Sequence, residues 1–558
     1  MSVKKRKTRK KEKNRKYIFV VGGVMSGVGK GITSASIGTI LQGKGLTVTI
    51  LKIDPYINVD AGTMNPTEHG EVFVMKSGLE TDQDMGNYER FLNVELPSVN
   101  YMTTGSVYQE VIRKERNLEY KGKCVEVVPD IPLQAIKRIE TAAETADADV
   151  TIIEVGGTVG EYQNVLFIEA IRMMKSKKPD DVAVVMVSYL PVPGSIGEMK
   201  TKPTQTAVRI LNQTGVFADI IIARSDVHVD ARRKEKISRF CNVCPENVIS
   251  APDIKSVYDV PLNFERDKLS IRLFKILNLK NGKKSDLTKW RKFVRSTKNT
   301  KKAVKIAVVG KYFNSGDFVL SDVYLSVIEA LKYSSYKLGL KPEIHYLSSV
   351  AFEEGKRLSD LKKYDGVLIP GGFGMTGVNG KLKVIKYVRE NKIPYFGICY
   401  GMQLAVLEYA QNVAKMKKAS TAEIDPKASD LVIDSMPDQK EKIAQSDMGG
   451  TMRLGEYPAT LKKGSIARAA YGQAEVNERH RHRYEVNPEY IEQLSDAGII
   501  FSGTSPDERL MEIMELPKKA HPFFVGVQFH PEFNARPLCP HPIFTEFVRA
   551  SNKSRKKK

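Results

Sequence analysis

From Tyr17 onward, short β-branched apolar runs alternate with longer stretches of helical character. The runs are "YIFVVGG", "LTVTILKID", "ADVTIIEVGG", "VAVVMVSYL" and "ADIIIARSD". Such alternation predicts parallel strands joined by crossover helices. Near residues 278–303 the pattern lapses into Lys-rich sequence carrying the only Trp, and "VKIAVVGKY" then opens a second strand-helix series. The expected fold class is therefore α/β, with two doubly wound domains. The boundaries are a basic disordered tail over 1–16, a first domain over 17–277, a linker over 278–303, a second domain over 304–548 and a basic tail over 549–558. No internal repeat of solenoid period is present.

Composition narrows the class. The 558 residues are 42% hydrophobic and 27% charged, the balance of a soluble globular protein too long for one core. No apolar run reaches the roughly 18–20 residues that span a bilayer, and no signal peptide precedes the first strand, so a cytoplasmic location is expected and a membrane role is not. The net charge of +22 is concentrated at the ends, with ten Lys or Arg within residues 1–16 and five within 553–558. Without interleaved aromatics or a nucleic-acid module, these read as solvated tails rather than a nucleic-acid-binding arm. Five scattered cysteines argue against a disulfide framework. Cys241-Asn-Val-Cys244 has zinc-knuckle spacing but no matching second pair.

Three segments carry chemistry. "VVGGVMSGVGKGITSAS" (20–36) lies between an expected strand and helix, as a phosphate-binding loop does. Its spacing is unusual, because Val24 stands where the first glycine belongs and Gly31 where a hydroxyl follows the lysine. Lys30 would offset charge on the outer phosphates. Downstream, Asp82 and Asp84 in "ETDQDMGNYERF" and Glu154 at a strand end offer the hard oxygen ligands that Mg²⁺ prefers beside a nucleotide. In the second domain, "PYFGICYGMQLA" places Cys399 on a sharp strand-to-helix turn, where a helix N-terminus favours the thiolate. "VGVQFHPEF" supplies His530 as base and Glu532 as its orienting carboxylate, and Gly371 and Gly372 of "LIPGGFG" can present backbone N–H groups to an oxyanion.

Together with "KIDPYINVDAGTM", "HGEVFV", "EVGGTVG", "KTKPTQ", "GGTMRLG" and "RHRHRYEVN", these segments resemble the CTP synthase family from Tyr17 to about Val548. The family's long P-loop with glycine after the lysine accounts for the odd spacing. The resemblance implies a P-loop-type synthetase domain followed by a class I glutamine amidotransferase domain. The implied activity is ATP-dependent amination of UTP to CTP with ammonia from glutamine, through a 4-phosphoryl intermediate. It implies GTP as activator, CTP as feedback inhibitor, Mg²⁺ as cofactor and a homotetramer that in some members stacks into filaments.

Carried over by position, ATP is expected at Ser26, Gly27, Val28, Gly29, Lys30 and Gly31, with Lys52, Asp84, Pro252, Asp253 and Ile254; the metal ligands are Asp84 and Glu154. UTP or CTP is expected at Ser26, Glu161, Tyr162, Gln163, Lys200, Thr201, Lys202, Pro203, Thr204, Gln205 and Lys236. Glutamine is expected at Gly372, the backbone of Tyr400, Gly401 and Met402, Gln403, Glu423 and Arg483, and His69 matches a residue lining the ammonia passage. Several positions depart from the family pattern. "GTVGDIE" reads "GTVGEYQ", Asn87 replaces His, Asp130 stands where "PH" is expected, Tyr400 replaces Leu and Thr376 replaces Arg. The first bears on CTP inhibition and the last two on GTP activation. An amidotransferase acting on a carboxylate is the competing enzyme reading. The basic cluster of "KTKPTQ" with Lys236 speaks against it, and an intact Cys399, His530 and Glu532 speaks against a filament or nucleic-acid protein without catalysis.

Overall fold

The apolar runs form strands in the computed structural model, which describes residues 13–194, 197–280, 286–311, 313, 321–435 and 452–555. The outer parts of both tails, 281–285 of the expected linker and 449–451 of "GGTMRLG" lie outside the described residues. The chain divides into two compact units, one of residues 1–59 and 99–288, the other of 60–98 and 289–558.

The first unit is built on a parallel sheet. Its described strands run in the order Tyr101–Thr103, Val48–Asp54, Val150–Val155, Lys16–Gly23, Val182–Tyr189, Ile220–Ser225 and Val248–Pro252. Lys16–Gly23 is buried along its whole length, as both-face coverage by helices requires. Sequential neighbours diverge from this strand, so its C-terminal end is a topological switch point where α/β sheets bind ligands.

The second unit holds a mixed sheet. Leu340–Ser348, Lys302–Gly310, Gly366–Ile369, Tyr395–Ile398 and Phe524–Val527 are parallel neighbours in that order. Met511–Glu515, Ile500–Thr504, Arg453–Leu461 and Glu475–His482 extend it antiparallel. Both units are therefore α/β, as the hydrophobic pattern predicts.

Residues 60–98, which fall inside the expected first domain over 17–277, belong to the second of these compact units. Buried charge anchors them: Glu89 Oε2 accepts from Arg479 Nη2 at 2.9 Å and from Arg536 Nη2, while Glu89 Oε1 accepts from Leu96 N at 3.0 Å. Glu89 and Arg479 are fully buried, and burial pushes Arg536 down to about 10 despite the carboxylate beside it. Glu80 pairs with Arg481 at 2.7 Å, and Phe73 packs edge-on against Phe533.

Within the expected linker 278–303 lies a helix, Thr288–Lys298, whose Trp290, Phe293 and Val294 are buried. The described part of the C-terminal tail is also helix, Pro542–Arg555, because Ile543, Phe544, Phe547, Val548 and Ser551 form an inward stripe at helical spacing. At the other end, Lys13 pairs with Asp149 at 2.9 Å and Lys16 with Asp181 at 2.6 Å, so residues 13–16 are held by carboxylates rather than loose.

Removing Glu89 would leave two buried guanidinium groups unpaired, at a cost of about 3–5 kcal/mol. Glu89→Leu should lower the thermal unfolding midpoint and make residues 60–98 the first site of limited proteolysis. Unchanged stability and cleavage would contradict the anchoring role.

Candidate active site

Three adjacent parallel strands in register build the centre of the second unit. Ile369 lies beside Gly397, and Ile398 beside Val527. The segments leaving these strands, 370–372, Cys399 and 528–530, therefore emerge together at one sheet edge. Cys399 is the turn residue, with φ 50 and ψ −104, and the helix Tyr400–Asn412 starts immediately after it. Its N–H donates to Val527 O at 2.6 Å, which ties the turn to the strand that delivers the base.

His530 and Glu532 meet as expected, with Nδ1 and Oε1 2.7 Å apart. Burial alone would lower the imidazole, but the Glu532 carboxylate and the Cys399 sulfur push His530 up to about 10. Its Nε2 is buried without a hydrogen-bond partner among the described residues. Gly371 is required here: a Cβ would lie 2.6 Å from His530 Cε1. Two members of the expected triad, His530 and Glu532, are thus in contact, and Gly371 lies against both His530 and Cys399.

A cavity of about 450 Å³ opens over these groups. Gly372, Gln403, Glu423 and Arg483 line it, four of the residues expected to hold glutamine. Glu423 accepts from Gly374 N at 2.6 Å and so fixes the 371–374 loop. The Tyr400 and Met402 side chains are buried, which leaves their backbone as what they can offer. Tyr400 donates to Gly374 O at 3.2 Å, and Lys381 Nζ lies 5.1 Å from its ring centre. Burial pushes Lys381 down to about 7, with Lys311 adding to the effect. His69 is exposed on the short helix Pro66–His69, two residues before Glu71 and Val72, which line the cavity.

The first unit holds the phosphate-loop candidates. After Gly23 the chain turns through Val24, Gly27 and Gly29, all at positive φ, into the helix Lys30–Gly43. Val24 at φ 79 adopts the left-handed backbone that glycine usually supplies at this point of such a loop, a strained conformation for a β-branched residue. Ser26 and Gly27 are exposed and Val28 is buried, while Lys30 reaches back to Gly157 O at 2.9 Å. Lys52 and Glu154 form a buried pair at 2.8 Å, with Asp54 Oδ1 3.7 Å from the same ammonium. A small pocket beside Gly29 is lined by Ile32, Thr33, Pro252, Ile254 and Phe264, and Asp253 is paired with Arg224 at 2.7 Å.

Part of the expected basic cluster gathers around Glu198 in this unit. Lys200 pairs with Glu198 at 2.7 Å and holds that carboxyl below its usual range, with Arg233 and Lys236 adding to the effect. Lys202 and Lys236 are exposed, and Gln205 donates to Thr201 at 3.0 Å. Pro203 lies in the first turn of the helix Lys202–Gln213. Thr204 departs from expectation, because its buried hydroxyl pairs with Ser188 at 2.8 Å and faces the core. Tyr162 is 95% exposed, flanked by exposed Glu161 and Gln163.

Asp82 and Asp84 lie in the second unit. Asp82 caps the helix Gln83–Leu92 by accepting from Asp84 N at 2.8 Å, and Asp84 Oδ1 accepts from Asn87 Nδ2 at 3.4 Å. Cys241 is buried, its thiol pushed up to about 11 by burial, and Cys244 is exposed. No group of three or more His, Cys, Asp or Glu suited to a metal occurs among the described residues, and none of their helices is long and apolar enough to cross a membrane.

Sequence reasoning missed Gln528 and Asp54. Each is a buried polar residue inside or at the end of an apolar strand, and that break in an apolar run is the signal that marks them.

Comparison with known proteins covers both units. Residues 16–279 match the family described as CTP synthase N-terminus, and residues 319–550 match glutamine amidotransferase class-I. A CTP synthase of Caldanaerobacter subterraneus subsp. tengcongensis is 47% identical over 96% of this chain and 98% of its own length. One of Pyrococcus furiosus is 48% identical over 97% of this chain and 99% of its own. Among solved structures, the glutaminase domain of Trypanosoma brucei CTPS with bound acivicin is 35% identical, covering 45% of this chain and 94% of that one, with a TM-score of 0.42.

The charge on His530 depends on Glu532. Amide hydrolysis at Cys399 should persist on the alkaline side until His530 loses its proton near pH 10. In Glu532→Gln the lowering by burial remains without the carboxylate, so the alkaline limb of the pH–rate profile should fall by about 1–3 pH units. An unmoved limb would contradict this assignment.

Proposed function

This chain belongs to the CTP synthase family of glutamine-hydrolysing ligases, and from that premise we propose that it aminates UTP to CTP with ATP and the amide nitrogen of glutamine. The observation that carries this reading is the Cys399, His530 and Glu532 constellation in a cavity also lined by Glu423 and Arg483. Glu423 suits an α-ammonium and Arg483 an α-carboxylate, so a glutamine placed between them would direct its amide toward Cys399. The Cys399 sulfur attacks the amide carbon, and N–H groups at Gly371 and Gly372 receive the oxyanion. His530 then gives its proton to the departing nitrogen, leaving a thioester and ammonia. Water hydrolyses the thioester to glutamate.

In the first unit, the loop from Ser26 to Gly31 suits the ATP phosphates. The pocket beside Gly29, walled by Pro252, Ile254 and Phe264, suits adenine. Lys52 and Lys30 add charge near the phosphate end. UTP is assigned to the cluster of Lys200, Lys202 and Lys236 with Ser26 and Gln205, because a triphosphate needs that density of cations. ATP phosphorylates the uracil O4, a poor leaving group becomes phosphate, and ammonia displaces it at C4.

Of the carboxylates expected to hold magnesium, Glu154 is a buried hard-oxygen donor at a strand end in the same unit as the Lys30 loop, paired with Lys52 at 2.8 Å, and its chemistry suits the cation. When bound, the cation would offset charge on the transferring phosphoryl group. We assign His69 to the ammonia route, and GTP activation, CTP inhibition through the Glu161–Gln163 segment, a homotetramer, filaments and a cytoplasmic location complete the reading.

Cys399→Ala should lower glutamine-dependent CTP formation about 10³-fold or more while ammonium still supports it, measured by chromatography of CTP. Equal loss with both nitrogen sources would contradict a separate glutaminase site. Lys30→Ala should impair both routes, and unchanged ammonium-dependent turnover would remove the 20–36 loop from the ATP site.

A further inference from the structure

Gln528 sits with 0% exposure between the fully buried Val527 and Phe529. A primary amide in such surroundings is costly to bury unless its polar atoms are paired, so each of its partners matters. Two contacts are made by the side chain. Its Oε1 accepts from Gln403 Nε2 at 3.3 Å, and its Nε2 donates to Cys399 Sγ at 3.8 Å.

The orientation of both amides is fixed from outside. Gln403 Nε2 also donates to Tyr484 O at 2.8 Å, and a backbone carbonyl can only accept. Gln403 must therefore turn its nitrogen toward Tyr484 and Gln528. The atom of Gln528 facing that nitrogen must be oxygen, and so its N–H group must face the sulfur. Flipping either amide would set two acceptors or two donors against each other. The backbone holds the relay in place, because Gln528 N donates to Glu512 O at 2.8 Å and Cys399 N to Val527 O at 2.6 Å.

We infer that Gln528 is a further catalytic residue of the glutaminase site, giving the Cys399 sulfur an amide N–H donor that favours the thiolate. The inference rests on Cys399 being the nucleophile. Cys399 Sγ also lies 3.7 Å from Arg481 O, which accepts from the thiol and cannot serve the thiolate. Deprotonation would thus forfeit the Arg481 contact and keep the one from Gln528. Gln528 transfers no proton in the reaction. The sulfur–carbon bond forms, the carbon–nitrogen bond breaks, and the nitrogen takes its proton from His530 and leaves as ammonia. The donor then acts again when water attacks the thioester, because the sulfur departs as a thiolate.

Gln528→Met removes both contacts at similar volume. Gln528→Glu keeps an acceptor for Gln403 and replaces the donor with a carboxylate. With Gln528→Met, inactivation by iodoacetamide near neutral pH should slow about tenfold, and its pH midpoint should rise by about one unit, the effect of losing one hydrogen bond to a charged group. Glutamine hydrolysis should lose kcat more than KM rises. Gln528→Glu should be slower still above neutral pH, where its carboxylate repels the thiolate, and this variant decides the question if the Met variant fails to fold.

If both variants keep the parent's pH dependence of alkylation and change only KM, Gln528 merely holds Gln403 and the inference is overturned. If the parent itself is neither alkylated at Cys399 nor able to hydrolyse glutamine, the nucleophile reading falls and takes the inference with it.

Discussion

The second unit depends on how closely three backbones can approach where the strands Gly366–Ile369, Tyr395–Ile398 and Phe524–Val527 end. A Cβ on Gly401 would lie 2.3 Å from Ile369 O, one on Gly397 would lie 2.7 Å from the Gly401 carbonyl carbon, and one on Gly526 would meet Met402 Cβ at 2.9 Å. Only hydrogen fits at these points. The helix Tyr400–Asn412 can therefore settle directly onto the strands, and the bend that results falls on Cys399 at φ 50. A strained, non-glycine residue persists there because the packing on both sides over-determines it.

The same closeness sets the electrostatics. With the strands in register, Cys399, His530 and the 371–372 turn share one water-poor edge, where a carboxylate such as Glu532 acts on His530 far more strongly than it would in solvent. The edge also collects polar groups that would be costly in isolation. Gln403, Gln528 and the Tyr484 carbonyl satisfy one another, and the chain of donors ends at the sulfur. Farther out, Glu89 between Arg479 and Arg536 fastens residues 60–98 to this unit and brings Glu71 and Glu80 to the cavity wall. Placement of the wall is thus a consequence of buried charge, while placement of the nucleophile is a consequence of glycine.

Much of this was legible along the chain. Parallel strands buried on both faces must be continuous apolar runs, so "YIFVVGG" and "PYFGICY" announce themselves, and a cysteine between glycines after such a run marks the elbow. What stayed hidden depended on partners remote in sequence. Glu89, Arg479 and Arg536 each read as surface charge until the fold pairs them. The Lys and Arg count of the C-terminus outweighed the stripe of Ile543, Phe544, Phe547 and Val548, which needs the helix Pro542–Arg555 to become a face. Thr204 reads as a donor to ligand, yet its neighbour Ser188 turns it inward. Gln528 was visible only as an anomaly, because its role follows from a carbonyl at Tyr484.

In the proposed reaction, nitrogen released at Cys399 becomes the 4-amino group of CTP. This transfer is tested most directly by supplying glutamine labelled with heavy nitrogen at its amide, with ATP, UTP, Mg²⁺ and GTP, and examining the CTP by mass spectrometry. The CTP should carry the label at its amino group, with one glutamate formed for each CTP. Glutamate without labelled CTP, or no reaction of either kind in protein that also fails with ammonium, would contradict it.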